Sequence, residues 1–296
     1  MGEIDERKEF GYVIVDKPYG PTSHQVSAWV RDMFGVERAG HAGTLDPHVT
    51  GVLPIGLNRA TKIINVIHIQ DKEYVALMYL HSMAEEERIR KVFSEFVGEI
   101  YQTVPVRAAV SRKQRKRMIH SLKILEIEER EILFTVVTES GTYIRTLCVD
   151  LGDAIGTGGN MVELRRTRTG PFGEDRMHTL QDIKDAIEFY REGNDKPLLE
   201  ILRPGYEIVS FLPRIVVKDT AVDALAHGAP LYRTGIDEIK GDVKLNGLAA
   251  VFTHSNELVG IGKIVNNLNN QGKQPALKME TVLMERGKYP PAWKNP

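Results

Sequence analysis

Residues 40–57 read G-H-A-G-T-L-D-P-H-V-T-G-V-L-P-I-G-L and place one carboxylate, Asp46, in a glycine-rich turn. Gly40, Gly43, Gly51 and Gly56 flank it. Glycine reaches backbone angles that other residues avoid and lets a second chain approach closely. An Asp followed by Pro ordinarily starts a helix or turn, with the carboxylate accepting backbone N–H groups. The flanks here favour chemistry instead. His41, Thr44 and Asp46 crowd polar groups beside the apolar run Val49, Val52, Leu53 and Ile55. That arrangement suits a carboxylate held rigidly in a partly dry cleft. A guanidinium beside such a group keeps it ionised at neutral pH, ready to act as a nucleophile or base.

The elements that must position this turn follow from periodicity. Residues 12–15, Y-V-I-V, read as a buried strand, and D-K-P-Y-G-P-T-S makes a turn and caps a helix. Val26, Trp29, Val30 and Met33 carry the helical spacing and Gly35 stops it. Residues 73–80 predict a strand, and Ile89, Val92, Phe93, Phe96 and Val97 predict an amphipathic helix ended by Gly98. Residues 121–128 and 131–138 predict a hairpin. Over 143–155, Ile144, Leu147, Cys148, Leu151 and Ile155 share one helical face. Arg145 falls off that face and is free to point into a cleft. Mixed elements without strict βαβ alternation give an α+β class. The G-T-G-G-N at 156–160 lacks the ending of a phosphate loop and reads as a turn. A Pro/Gly-rich stretch at 191–213 reads as a linker. Beyond it, strands at 214–218, 248–252 and 258–265 and a helix at 220–227 predict a small β-barrel. The expected domains are 1–208 and 209–296.

Composition bounds the function classes. The chain has 296 residues, with 42% hydrophobic and 27% charged, as expected of a folded soluble protein of two domains. Its charged N-terminus predicts neither a signal peptide nor an anchor, and no run is long enough to span a membrane. Cys148 is the one cysteine, which excludes an intrachain disulfide and a thiolate metal cluster and fits a reducing cytoplasm. The nine histidines show no paired ligand spacing, so no metal and no cofactor is expected. A net charge of −1 requires any nucleic-acid binder to gather its cations into patches. Residues 107–117 do so with Arg107, Arg112, Lys113, Arg115, Lys116 and Arg117 and no acid. Arg165, Arg166 and Arg168 form a second cluster, while acids gather at Glu85–Glu87 and Glu126–Glu131.

The Asp46 segment resembles the catalytic-loop motif of the TruB/dyskerin family of RNA pseudouridine synthases. D-K-P-Y-G-P-T-S at 16–23 resembles that family's first motif, which buttresses the catalytic loop. K-E-Y-V-A at 72–76, G-T-Y-I-R-T-L at 141–147 and E-L-R-R-T-R-T-G-P-F at 163–172 resemble three further motifs, in the family's order. The resemblance implies a mixed-sheet catalytic domain with flanking helices. It implies Asp46 as the nucleophile, Tyr74 in contact with the target base, Arg145 paired with Asp46, and Leu164 lining the pocket. His41 and Lys17 are read as supports: His41 as a base contact or loop hydrogen-bonder, Lys17 as structural. Uridine isomerisation breaks the N1–C1′ bond, turns the uracil and rejoins it through C5. The carboxylate could attack C1′, add at C6 or abstract a sugar proton, and the sequence does not choose among these. The base must leave its stack, at a cost of a few kcal/mol.

Residues 221–236 and the V-G-I-G-K at 259–263 resemble a PUA domain, a small RNA-binding barrel. S-H-Q-V-S-A-W-V at 23–30, E-Y-V-A-L-M-Y-L-H at 73–81 and the terminal Y-P-P-A-W resemble the archaeal dyskerin-type branch. That branch implies a box H/ACA guide RNA, rRNA and tRNA as substrates, and small partner proteins. A standalone tRNA pseudouridine synthase and a non-catalytic RNA-binding scaffold are the alternative readings. The co-occurrence of Asp46, Tyr74 and Arg145 weighs against the scaffold.

Overall fold

The strand predicted at 12–15 runs from Gly11 to Lys17 (β1) and is buried on both faces. Val13 and Val15 enter one core, and Tyr12 and Ile14 enter another. Alternate residues of a strand point to opposite faces, so an unbroken apolar run marks a strand covered on both sides. The computed structural model describes residues 2–103, 114–268 and 274–291.

Before β1, the helix α1 (Glu3–Glu9) is pinned by Arg7, whose Nη1 donates to the carbonyls of Leu199 and Leu202, both at 2.7 Å. After β1, Thr22 caps α2 (Ser23–Phe34) by accepting from Gln25 N, and Gly35 ends it in the left-handed conformation. There follow β2 (Ala39–His41), β3 (Val49–Leu57), a 3-10 turn at Asn58–Lys62, α3 (Asn65–His68) and β4 (Lys72–Leu80). Next come α4 (Glu86–Glu95), β5 (Gly98–Thr103), β6 (Gln114–Glu128), β7 (Glu131–Thr138) and α5 (Ile144–Ile155). Then β8 (Gly159–Thr169), the two-residue β9 (Phe172–Gly173), α6 (Leu180–Arg191), α7 (Lys196–Ile201) and β10 (Arg203–Pro204) complete the first sheet and its helices.

Along that sheet the strands run β10-β1-β3-β8-β4-β7-β6-β5, with β2 added to β3 and β9 to β8. All its pairings are antiparallel except β3 with β8. Helices α2, α6 and α7 pack on β1 and β3 around Val26, Val30, Leu53, Ile55, Ile183 and Leu198. A separate cluster sets α4 and α5 on β4, β6 and β7 through Ile89, Phe93, Phe134, Leu147 and Leu151. The helical face predicted for 143–155 is the buried one, and Arg145 is exposed.

Beyond residue 210 a second sheet forms from β11 (Arg214–Val217), β12 (Leu231–Tyr232), β13 (Ile236–Lys240), β14 (Leu248–Phe252), β15 (Leu258–Ile264) and β16 (Pro275–Val282). Its order is β12-β16-β15-β14-β11-β13, and α8 (Asp219–Ala226) packs into its core through Val222 and Leu225.

The stretch 191–213, expected to be a linker, is ordered and packed. Pro197 sits in the first turn of α7, where its missing N–H costs nothing, and β10 pairs with β1. Leu198, Ile201, Leu202, Ile208 and Val209 are buried. The two sheets also share a core: Tyr12, Ile14 and Val52 pack with Phe252, Leu258, Ile261 and Leu283. No helix among the described residues is long and apolar enough to cross a membrane.

Helix α5 comes unusually close to β8. A Cβ built on Gly152 would lie 2.3 Å from Gly159 N and 2.5 Å from Gly158 C. Both contacts are backbone, so no side-chain shift relieves them. Gly152→Ala is expected to lower stability by about 1–3 kcal/mol through overpacking. Thermal unfolding monitored by circular dichroism checks this, since a harmless substitution inside a helix would leave the midpoint in place or raise it.

Candidate active site

Asp46 lies between β2 and β3, and its carbonyl accepts Val49 N at 3.0 Å to close the turn that restarts the chain as a strand. Two side chains from the first turn of the chain hold this loop. Lys17, at the end of β1, is fully buried, and its Nζ donates to the carbonyls of Pro18, Pro47 and Val49 at 2.9, 3.2 and 2.8 Å. Ser23 is also fully buried. Its Oγ donates to Leu45 O at 2.9 Å and accepts from Leu45 N at 2.8 Å. Gly20 N donates to Pro47 O at 2.9 Å. The D-K-P-Y-G-P-T-S segment therefore grips the residues on both sides of Asp46. Ser23 was missed as a site residue because P-T-S reads as a helix cap. Thr22 takes that role and leaves the next hydroxyl for the loop.

The carboxylate itself faces the opening. Asp46 and Arg145 side chains are 55% and 50% exposed, and Arg145 Nη2 stands 2.6 Å from Asp46 Oδ2. Among the described residues no other hydrogen bond reaches the carboxylate, so Oδ1 is left for a ligand. Arg145 is aimed by the start of α5. Gln102, buried on β5, accepts from Tyr143 N at 3.0 Å and donates to Tyr143 O at 3.1 Å, and Arg117 Nε donates to Gly141 O at 3.0 Å.

Strand register brings Leu164 on β8, and Tyr74 on β4 beyond it, alongside the strand that leaves the Asp46 loop. Val49 of β3 pairs with Leu164, Ala76 pairs with Leu164, and Tyr74 pairs with Arg166. Both Tyr74 and Leu164 are partly buried against the two cores that flank β8. His41 ends β2 with its Nδ1 buried and without a hydrogen-bond partner among the described residues, and its ring meets His24 edge-on at 4.8 Å. Burial, then the neighbouring His24, Arg166 and His68, push its pKa down from 6.5 to about 4. His41 is therefore neutral at physiological pH. Lys17 is also pushed down by burial, with Asp46 opposing.

In the second basic cluster the structure corrects one position, Arg166. Arg166 is 1% exposed and cannot meet solvent-borne phosphate. Its Nε donates to Val52 O at 2.8 Å and its Nη2 to Gly43 O at 3.2 Å. Arg165 is engaged by Asp16 at 3.0 Å and Glu174 at 2.6 Å, and Arg168 by Glu73 at 3.0 Å and Gly170 O at 3.0 Å. All three lie on β8 inside the sheet, but the side chains of Arg165 and Arg168 stay 35% and 37% exposed beside their partners. In the first cluster, Arg107, Arg112 and Lys113 lie outside the described residues. Lys116 pairs with Glu99 at 2.8 Å, Arg117 approaches Glu139 at 3.4 Å, and no ion pair among the described residues involves Arg115. Among the described residues no cluster of three or more His, Cys, Asp or Glu could hold a metal ion.

The depressed pKa of His41 links its burial to stability. An unfolded His takes up a proton near pH 6.5, whereas folded His41 resists until about 4. Between those values the unfolded chain binds more protons, so stability falls as pH falls. The contribution is complete above 6.5 and declines by at most about 1.4 kcal/mol per pH unit inside the window. His68 and His178, both lowered by burial, act with the same sign. Urea unfolding at pH 7, 5.5 and 4.5 should show the decline, and His41→Gln should reduce its slope.

Residues 31–144 match the family model described as TruB family pseudouridylate synthase (N terminal domain), and residues 145–210 that of the tRNA pseudouridylate synthase B C-terminal domain. Residues 213–267 match the PUA domain. A protein of Archaeoglobus fulgidus named "Probable tRNA pseudouridine synthase B" is 50% identical over 296 residues, covering 99% of this chain and 91% of its own. One of the same name from Methanocaldococcus jannaschii is 47% identical over 297 residues, covering 99% and 88%. Among solved structures, a Cbf5-Nop10-Gar1 complex aligns with TM-score 0.92 at 42% identity over 98% of this chain and 89% of that one. An H/ACA RNP bound to a substrate RNA containing 2′-deoxyuridine aligns with TM-score 0.89 at 41% identity over 99% and 90%. Five motifs in order, one ion pair built from two of them, and near-complete alignment agree: the chain belongs to the TruB family of pseudouridylate synthases and carries a PUA domain.

Proposed function

We propose that this enzyme isomerises selected uridines of rRNA to pseudouridine as the catalytic subunit of a box H/ACA guide-RNA ribonucleoprotein, with the T-loop of tRNA as a second substrate. The observation that carries the catalytic part is the 2.6 Å Asp46–Arg145 pair, reached across 99 residues of chain and open to solvent. Guide dependence is supported by the likeness to chains solved with Nop10, Gar1 and H/ACA RNA. The tRNA reading is supported by the names of the curated relatives.

Asp46 is the nucleophile. Arg145 holds Oδ2 by a charge-assisted hydrogen bond, leaving Oδ1 to act. Tyr74 and Leu164 receive the uracil once it has left its stack. The overall change is balanced without a cofactor: the N1–C1′ bond breaks, the C5–C1′ bond forms, C5 loses its proton and N1 gains one. Attack at C1′, addition at C6 and abstraction of a sugar proton all require the same held, ionised carboxylate. Residues 1–208 form the catalytic domain. Residues 209–296 form the PUA domain, which anchors the guide RNA, while small partner proteins dock elsewhere. The single cysteine, Cys148, is buried, which is consistent with a reducing cytoplasm.

Asp46→Asn should lower pseudouridine formation by roughly 10³-fold or more with RNA binding intact. Arg145→Lys should rescue little of the loss caused by Arg145→Ala, because a point charge does not reproduce the guanidinium fork. Both are read by pseudouridine mapping on an rRNA fragment and on tRNA, each with and without guide RNA. Substantial turnover by the Asn variant would sink the nucleophile assignment. Equal rates on rRNA without guide would sink guide dependence.

Arg115, with Arg112 and Lys113, is assigned to RNA phosphates. Arg115→Ala should weaken binding of unrelated RNA sequences alike and flatten the salt dependence by about one slope unit. A titration of affinity against salt concentration checks it; an unchanged slope removes Arg115 from the interface.

A further inference from the structure

The rim of the active site carries an exposed aromatic pair. Tyr19 is 67% exposed, and its ring meets that of His48, also exposed, with centroids 5.0 Å apart and planes tilted by 40°. That separation lies within the range of attractive ring pairs. His48 stands just past Pro47, the residue that follows Asp46. Tyr19 comes from the D-K-P-Y-G turn that clamps the same loop. A single exposed tyrosine is ordinary surface. Two rings in contact, both facing water and both beside an open catalytic carboxylate, are placed to receive something.

Their backbone holds them still. Lys17 Nζ donates to the carbonyls of Pro18 and Pro47, at 2.9 and 3.2 Å, and Gly20 N donates to Pro47 O at 2.9 Å. The residues on both sides of Tyr19 are therefore tied to the residue between Asp46 and His48. Proline at 18 and 47 narrows the backbone further. A ring fixed before its ligand arrives loses little freedom on binding. The approach is clear as well. Gly20 has φ +111°, and a Cβ there would meet nothing within 4 Å.

RNA fits this place better than a protein does. The target uracil must leave its stack to reach Asp46. Its neighbour in the strand is then left with one face uncovered, close to the carboxylate. An aromatic side chain covers such a face whatever the base. A protein seated on the same rings would crowd the opening through which the uridine enters. We propose that Tyr19, backed by His48, is a stacking platform for the nucleobase adjacent to the target uridine. This inference rests on the reading of Asp46 as acting on uridine in RNA.

The test is the target-RNA affinity of the full chain, assembled with guide RNA for an rRNA fragment and alone for tRNA, on each RNA that the parent isomerises. Tyr19→Leu removes the π-face and keeps an apolar side chain, whereas Tyr19→Phe keeps the face. Tyr19→Leu should weaken binding at least about fivefold, and Tyr19→Phe less than about twofold. On RNA with abasic sites on both sides of the uridine, Tyr19→Leu should cost less than about twofold, because the stacked base is gone. 2-Aminopurine placed beside the uridine should be quenched by the parent and stay brighter with Tyr19→Leu. Equal affinities of the parent and the Leu variant, or the same loss on abasic RNA, overturn the proposal. So does a Leu variant that binds RNA normally but no longer assembles with partner proteins, which would give the rings to a protein surface. A parent that isomerises neither RNA removes the reading of Asp46 and the platform with it. Normal turnover with an unmoved affinity removes the platform alone.

Discussion

A short parallel contact between β3 and β8 determines the geometry of the site. It spans only Val49–Gly51 against Leu164–Arg166, amid strands that otherwise pair antiparallel. Those three pairs set the strand leaving Asp46 beside the strand bearing Leu164 and Arg166, and β4 on the other edge of β8 brings Tyr74. The contact tolerates no side chain at one point: Gly51 has φ +102°, and a Cβ there would lie 2.2 Å from Arg166 O. Parallel strands need a long crossover. Here that crossover runs through β4, α4, β5–β7 and α5, and it delivers Arg145 on the way.

Around that contact the protein uses cations in two distinct ways. Lys17 and Arg166 are buried and answer backbone carbonyls of the catalytic loop and of β3. In low dielectric such donors are strong and directional, and removing one would strand buried acceptors at about 1–3 kcal/mol each. Arg145 is half exposed, and its pair with Asp46 is screened by water. A surface pair of that kind contributes little to stability. Its worth lies in orienting one carboxylate oxygen at an open site. Rigidity thus comes from the interior, and the Asp46–Arg145 pair stands at the rim.

The second sheet is not tethered loosely. β1 has two buried faces because helices cover one and residues such as Phe252, Ile261 and Leu283 cover the other. The surface on which the PUA domain packs is therefore the back of the strand that supplies Lys17. Any RNA held by that domain is referenced to the active site through a shared apolar core.

Much of this was legible in the residues alone. The helices over 23–34 and 144–155 and the hairpin of β6 and β7 follow from periodicity and capping, which are local. The Asp46 loop stood out as a long, specific motif, and Arg145 stood off its helix's apolar face, as the structure has it. What sequence reading could not provide was partnership at a distance. The segment 191–213 carries the composition of a linker, yet its apolar residues find a core only when β10 reaches β1. Arg165, Arg166 and Arg168 carry the composition of an RNA patch. Strand register places them between β3 and β4, where Arg166 is buried on two carbonyls while Arg165 and Arg168 stay partly exposed beside Asp16 and Glu73. Charge and periodicity are properties of a segment, so the sequence determined elements and chemistry. Burial and pairing are properties of what folds against a segment, and only the tertiary structure decided which cations stay open at the surface and which are buried against the Asp46 loop.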